Sequence, residues 1–257
     1  MTSGEKCVQR RKLGTAAWVR RNLGFRPDAS QAAVLDSPAR RVLLNCTRQW
    51  GKSTVGAAKA VYEAQRQNDR LILIVNPALR QSREFMRKVE GFANLLPNHR
   101  TAEFRKDRDH TSWLELPNHS RIVGLGSNAD AARGFSAVSL LIIDEAARIS
   151  DDLYKTVRPL LSVSGGSLWL MGTPFGKRGF FYELWESGGP EWLRVQVPAT
   201  RCRRIAAAFL REERRAIGTR WFSQEYLCRF AEVEEGLFDP ALVRKAFRKE
   251  VEPLALF

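Results

Sequence analysis

Arg41-Val-Leu-Leu-Asn-Cys-Thr-Arg-Gln-Trp-Gly-Lys-Ser-Thr54 is the stretch on which the reading of this chain turns. An apolar run of strand length, Arg41 to Asn45, enters a short loop, and helical spacing follows from Lys52 to Gln67. In that context Gly51-Lys52-Ser53-Thr54 predicts a phosphate-binding loop, in which backbone N–H groups and the helix N-terminus face an anion. Thr47, Arg48, Gln49, Trp50, Gly51, Lys52, Ser53 and Thr54 are the expected nucleotide-binding residues. Lys52 is expected to reach the β and γ phosphates and the Ser53 hydroxyl to ligate Mg²⁺. A lysine in the first turn of a helix is disfavoured by the helix dipole unless an anion sits there, which strengthens the assignment. The full pattern asks for Gly at position 46, where this chain has Cys46.

Working outward, short apolar runs recur at Leu71 to Asn76, Leu140 to Asp144, Ser167 to Gly172 and Leu193 to Val197. Each is too short and too uniformly apolar for an amphipathic helix, so they predict buried, parallel strands. Helical spacing lies between them, at Leu79 to Leu95, Asp152 to Leu161 and Gly179 to Trp185. Alternation of this kind predicts an α/β fold, a mainly parallel sheet with helices on both faces. Trp113 to Leu125 instead alternates around Pro117, Asn118 and Ser120, the pattern of an added antiparallel β-hairpin. After Pro198 only helical spacing is evident, at Ala206 to Ile217 and Trp221 to Phe230. Three regions follow: a basic N-terminal arm or helix over 1–26, a P-loop core over 27–197, and a helical lid or linker over 198–257.

Leu140-Leu-Ile-Ile-Asp-Glu ends a predicted buried strand in two carboxylates. Ligands of open α/β sheets bind at the carboxyl ends of the strands, so Asp144 is expected to hold Mg²⁺ and Glu145 to act as general base on the attacking water. Ser167 to Pro174 places Thr173 at the same edge, where it is expected to bond the γ-phosphate or the attacking water. Gly172-Thr173-Pro174 is also a good turn in its own right.

The chain has 257 residues, 44% of them hydrophobic, and 42 Lys+Arg against 28 Asp+Glu give a net charge of +14. That composition excludes wholesale disorder and low complexity, and no apolar run approaches the roughly 18 residues that cross a bilayer. The four cysteines, Cys7, Cys46, Cys202 and Cys228, form no CxxC pair, and the N-terminus has no apolar signal region. Reduced thiols and a cytoplasmic protein are expected. The positive balance predicts a polyanionic partner. Candidate contacts are Arg10 to Arg21 and the stretch Arg201 to Arg220, which holds seven Arg against two Glu.

These motifs, in this order, resemble the ATPase domain of the large terminase subunit, the DNA-packaging motor of tailed bacteriophages. The resemblance runs from about Pro27 to Asp239. Arg48-Gln-Trp-Gly-Lys-Ser-Thr looks like the family's variant Walker A, in which an Arg enters the loop and the first Gly is dispensable. Pro27-Asp28-Ala-Ser-Gln31 looks like its Q motif, Gly172-Thr173-Pro174 like its coupling motif, and Arg133-Gly134 lies where the family supplies an arginine finger to a neighbouring subunit. The resemblance implies a RecA-like ASCE fold and Mg²⁺-dependent ATP hydrolysis driving double-stranded DNA into a procapsid without sequence preference. It also implies a homo-oligomeric ring on a portal, with a terminase small subunit as a further partner. Gln31 would read the adenine edge, and Arg48 and Thr173 would sense loss of the γ-phosphate and move the segment from Pro198 to Phe230.

Fewer than 20 residues follow Asp239, so no nuclease activity is expected of this chain, which reads as an excised domain, a split or truncated prophage gene, or a stand-alone motor subunit. Two rivals remain. Asp-Glu-Ala-Ala also resembles the box of helicase-like ATPases, which predicts a second RecA-like domain that the strand pattern lacks. A non-catalytic DNA- or portal-binding remnant predicts decay of Lys52, Ser53, Asp144 and Glu145, all of which are intact.

Overall fold

The computed structural model describes residues 13–97, 103–106 and 111–232. Cys7, the basic run Arg10 to Lys12 and the expected continuation of the lid over 233–257 lie outside them. Eight strands form one sheet in the order β3-β4-β5-β2-β6-β7-β1-β8. They are β1 (Arg41–Cys46), β2 (Leu71–Val75), β3 (Glu103–Lys106), β4 (Thr111–Glu115), β5 (Arg121–Leu125), β6 (Leu140–Ile143), β7 (Ser167–Gly172) and β8 (Trp192–Val197). Six strands, β5 to β8 with β1 and β2, run parallel, and β3–β4 and β4–β5 pair antiparallel. The hairpin expected around Asn118 is thus present, with Glu115 opposite Arg121 and Trp113 opposite Val123. β3 was not anticipated.

The period of two along each strand sorts the core onto two faces. Val42, Leu44, Ile72, Ile74, Ile142 and Trp169 pack on one side, against Val55, Ala58 and Val61 of α3 (Lys52–Arg66) and Phe85, Met86 and Val89 of α4 (Leu79–Ala93). Leu43, Leu73, Leu141, Ile143 and Leu170 pack on the other, against Leu153 and Val157 of α6 (Asp151–Val157) and Phe180 and Phe181 of α7 (Gly179–Ser187). Two covered faces explain why the strands are uniformly apolar.

Of the arm or helix expected at the N-terminus, the described part is a helix: α1 (Thr15–Asn22) places Ala16, Val19 and Leu23 in the same core as α2 (Ala29–Asp36) and α3. α5 (Ala129–Ala132) is a single turn before β6. Beyond β8, α8 (Ala207–Ala216) and α9 (Gly218–Glu225) close a small core of their own around Ala199, Leu210 and Phe222.

The hairpin is fastened to α3 by one side chain. Asn118 Nδ2 donates to the carbonyls of Ala64 at 2.8 Å and Gln67 at 3.0 Å, satisfying acceptors that the end of a helix leaves open. Asn118→Ala is expected to destabilise the fold by about 1–2 kcal/mol. Urea unfolding should show a lower midpoint with an unchanged slope.

Candidate functional site: a phosphate loop facing two carboxylates

In sheet order, β7 stands between β6 and β1, so the carboxyl ends of three adjacent strands deliver Asp144, Thr173 and the loop that starts at Thr47 to one place. Cys46 is the last residue of β1, and its buried thiol, 3.8 Å from the Val195 carbonyl, is pushed up to about 12 by that burial. It belongs to the strand, which is why Gly is not needed there. Glycine is needed at Gly51, whose φ of 93° is left-handed and whose missing Cβ would lie 3.2 Å from Gln31 Nε2.

Gly51 caps α3, and no acidic residue occupies the first turn of that helix. Lys52 opens it and is only 3% exposed. Its ammonium donates to the carbonyls of Cys46 at 2.7 Å and Thr47 at 3.3 Å and to Thr173 Oγ1 at 3.3 Å. Thr173, itself buried, is therefore wired to the loop lysine. Ser53 Oγ donates to Asp144 Oδ2 at 2.9 Å. A hydroxyl and a carboxylate in contact at a helix N-terminus are hard oxygen donors of the kind Mg²⁺ takes together with phosphate oxygens. The donor set fits the ion, and among the described residues no cluster of three or more His, Cys, Asp or Glu offers another metal site.

The two carboxylates differ in surroundings. Asp144 is buried, and desolvation, followed by the neighbouring Glu145 charge, raises its carboxyl to about 6 against the pull of Lys52 and Ser53. Glu145 is half-buried and sits at φ 50°, ψ 42°, a left-handed conformation uncommon for a residue with a Cβ. Its N–H donates to Asp144 Oδ1 at 3.1 Å. Gly172 lets the chain after Glu145 come close: a Cβ there would lie 3.3 Å from the Ala146 nitrogen.

The other expected residues divide into braces and exposed groups. Gln31, 1% exposed, donates to the Trp50 carbonyl at 2.6 Å and accepts from the Asp28 N–H at 3.0 Å, completing the capping box of α2. Both ends of its amide are taken within the chain, so a base edge would have to displace one of them. Arg48 and Gln49 are exposed and Trp50 is buried, its indole N–H donating to Ser30 Oγ at 2.9 Å. Thr54 is half-buried in the first turn of α3. Arg133 is exposed on the turn between α5 and β6.

Sequence reasoning missed two residues that meet the loop from the C-terminal segment. Arg204 Nη2 donates to the Trp50 carbonyl at 2.7 Å, and Glu225 accepts from Arg48 Nε at 2.9 Å. Neither carries a local signal; each lies more than 150 residues from its partner. Cys46, Cys202 and Cys228 are free and buried, as the spacing predicted.

The fold and the site together define a P-loop nucleoside triphosphatase core of the RecA-like kind. Residues 43–243 match the family model described as terminase large subunit, T4likevirus-type, N-terminal, and the chain belongs to that family. It is 27% identical over 194 residues to the terminase large subunit of Thermus virus P23-45, covering 68% of this chain and 39% of that protein. It is likewise 27% identical over 228 residues to the terminase large subunit of Escherichia phage T5, covering 84% of this chain and 50% of that one. The chain thus spans half or less of the length of these relatives. Among solved structures, the large terminase ATPase domain of Thermus phage P74-26 superimposes with a TM-score of 0.70 at 23% identity, covering 86% of this chain and all of that one. A large terminase from a thermophilic bacteriophage, solved in complex with ATP-gamma-S, gives a TM-score of 0.63 at 13% identity, covering 79% of this chain and 52% of that one.

The Asp144 carboxyl gives the metal-free protein a distinct pH signature. With a folded value of about 6 above the ordinary 3.8, the native state keeps a proton that the unfolded chain releases. This contribution to stability is full below about pH 4 and is lost as pH rises through about 6. Relative to Asp144→Asn, the wild type should lose on the order of 2–3 kcal/mol between those limits, read by urea unfolding in EDTA.

Proposed function

We propose that this chain hydrolyses ATP with Mg²⁺ and that hydrolysis drives double-stranded DNA into a phage procapsid. The observation that carries the reading is the meeting of the buried Lys52 with the Ser53–Asp144 pair at one sheet edge, with Glu145 next in the chain. Family membership supports the packaging role, as does the ATPase named for the similar P74-26 domain.

The reaction needs positioning and charge stabilisation rather than a covalent intermediate. Lys52 meets the β and γ phosphates while the N–H groups of Thr47 to Thr54 cradle them. Ser53 and Asp144 would hold Mg²⁺, which neutralises developing phosphate charge when bound. Glu145, more open than its neighbour, orients the attacking water and accepts its proton. Thr173 reports on the phosphate through its bond to Lys52, and Gln31 reads the base edge on exchanging one of its present bonds.

Activity is assigned to a homo-oligomeric ring on a portal in the host cytoplasm, with Arg133 reaching a neighbour's phosphate, DNA held through its backbone and a small subunit as a further partner. Among the described residues no helix is long and apolar enough to cross a membrane.

Three variants test the reading in an ATPase assay with Mg²⁺, with and without double-stranded DNA, across protein concentration. Lys52→Ala is expected to lose roughly 100-fold or more in turnover while remaining folded by circular dichroism. Glu145→Gln should still bind ATP but turn over roughly 10²–10⁴-fold more slowly; wild-type turnover would remove Glu145 as the base. Arg133→Ala should lower only the concentration-dependent activity, and an equal loss in dilute monomer would exclude a role in trans.

A further inference from the structure

The end of the sheet opposite the phosphate loop holds a second cluster of cations. Arg41 opens β1 at its amino end, beside the start of β7, and its Nη1 donates to the Gly166 carbonyl at 2.8 Å. Arg158 starts the short 3₁₀ turn Arg158–Leu161 that follows α6. With Tyr154 and Lys155 of α6 they line a cavity of about 530 Å³. Arg41 is half-buried, and burial, followed by the charge of Arg158, holds its guanidinium below the ordinary value. The attraction of Glu191 is weaker than the repulsion from either Arg158 or Arg40. Among the described residues no carboxylate forms an ion pair with Arg41 or Arg158, and Lys155 lies 4.0 Å from Asp152.

A buried tyrosine faces these charges. Tyr154 is 7% exposed, its ring is stacked on Phe180 with centroids 4.1 Å apart, and the Arg158 guanidinium lies 5.9 Å from its centroid. Its hydroxyl feels the charges of both Arg158 and Arg41, and it is buried without a hydrogen-bond partner. A guanidinium offers donors and no acceptor, so neither arginine can take the hydroxyl's proton. An orphaned buried donor costs free energy, and an incoming acceptor removes that cost. An anion with several oxygens satisfies the hydroxyl and screens the two guanidiniums from each other in one step.

We propose that Arg41, Arg158 and the Tyr154 hydroxyl seat a backbone phosphate of double-stranded DNA, at the end of the sheet away from the nucleotide. The inference rests on the reading of this chain as a DNA-packaging ATPase, and it places part of the grip outside both basic stretches of the sequence. Arg40 and Lys155, both exposed, adjoin the seat, so the neighbouring phosphates of a continuous strand meet further cations that a single small anion would not need. The contacts are to phosphate and read no base, as packaging without sequence preference requires.

The test measures binding of the full chain to a fluorescent duplex of arbitrary sequence across salt concentration. Tyr154→Phe removes no charge and no existing hydrogen bond, so the melting temperature of the free protein should be unchanged or higher. Its affinity for the duplex should nonetheless fall roughly three- to tenfold. Arg158→Gln should weaken binding and flatten the plot of log K against log salt by about one. Arg83→Gln, an equal loss of charge on α4 across the sheet, is the control and should fall short of both effects. Unchanged affinity in Tyr154→Phe, or equal losses in Arg83→Gln and Arg158→Gln, would overturn the proposal. Duplex binding unchanged in every variant, with inorganic phosphate raising the melting temperature of the wild type and not of Arg158→Gln, would overturn DNA as the occupant. A wild type that binds no duplex would overturn the packaging reading itself.

Discussion

The ammonium of Lys52 is the constraint around which this structure is arranged. A charge this buried must be bonded on every side that water has left, and the partners come from separate parts of the chain: two carbonyls at the end of β1 and the hydroxyl of Thr173 beyond β7. Asp144, at the end of β6, supplies the opposing charge. Three strand ends must therefore be adjacent and in register, which the sheet achieves by inserting β6 and β7 between β1 and β2, strands consecutive in the chain. The pairing of Asn45 with Gly172 sets the last rung below the site.

Those same contacts separate two carboxylates that look alike in sequence. Asp144 and Glu145 are neighbours, yet one is sealed against Ser53 and the other lies at the opening where the chain turns left-handed. Burial raises the Asp144 carboxyl to about 6, so it is charged at neutral pH and takes up a proton readily just below it. The strained backbone at Glu145 turns the chain sharply out of β6, and the missing side chain of Gly172 leaves room beside that turn.

How much of this was legible follows from what is local. Strands were legible because burial on two faces leaves no polar position, and the loop because its chemistry needs consecutive residues. The first 26 residues stayed open between an arm and a helix although Ala16, Val19 and Leu23 lie at helical spacing, because Arg20, Arg21 and the preceding basic run dominate the composition. β3, four residues at the sheet edge, is too short for any pattern to declare itself. Glu225 and Arg204 were invisible for a different reason: a salt bridge spanning 177 residues leaves no trace in either neighbourhood.

The bracing of Trp50 shows what that distant grip does to the loop. Its carbonyl accepts from Gln31 of α2 and from Arg204 of the C-terminal segment, and Arg204 also reaches Asp28 Oδ2 at 3.5 Å. One oxygen thus joins the segment before β1 to the segment after β8, immediately before the residue whose left-handed turn starts α3. Because Gly51 has no side chain to restrict it, its conformation is held by these two donors instead. A shift of the C-terminal segment that moved Arg204 would pull directly on the peptide that aims the first N–H groups of α3. The loop is therefore gripped at two points by one segment, through charge at Arg48 and through backbone at Trp50.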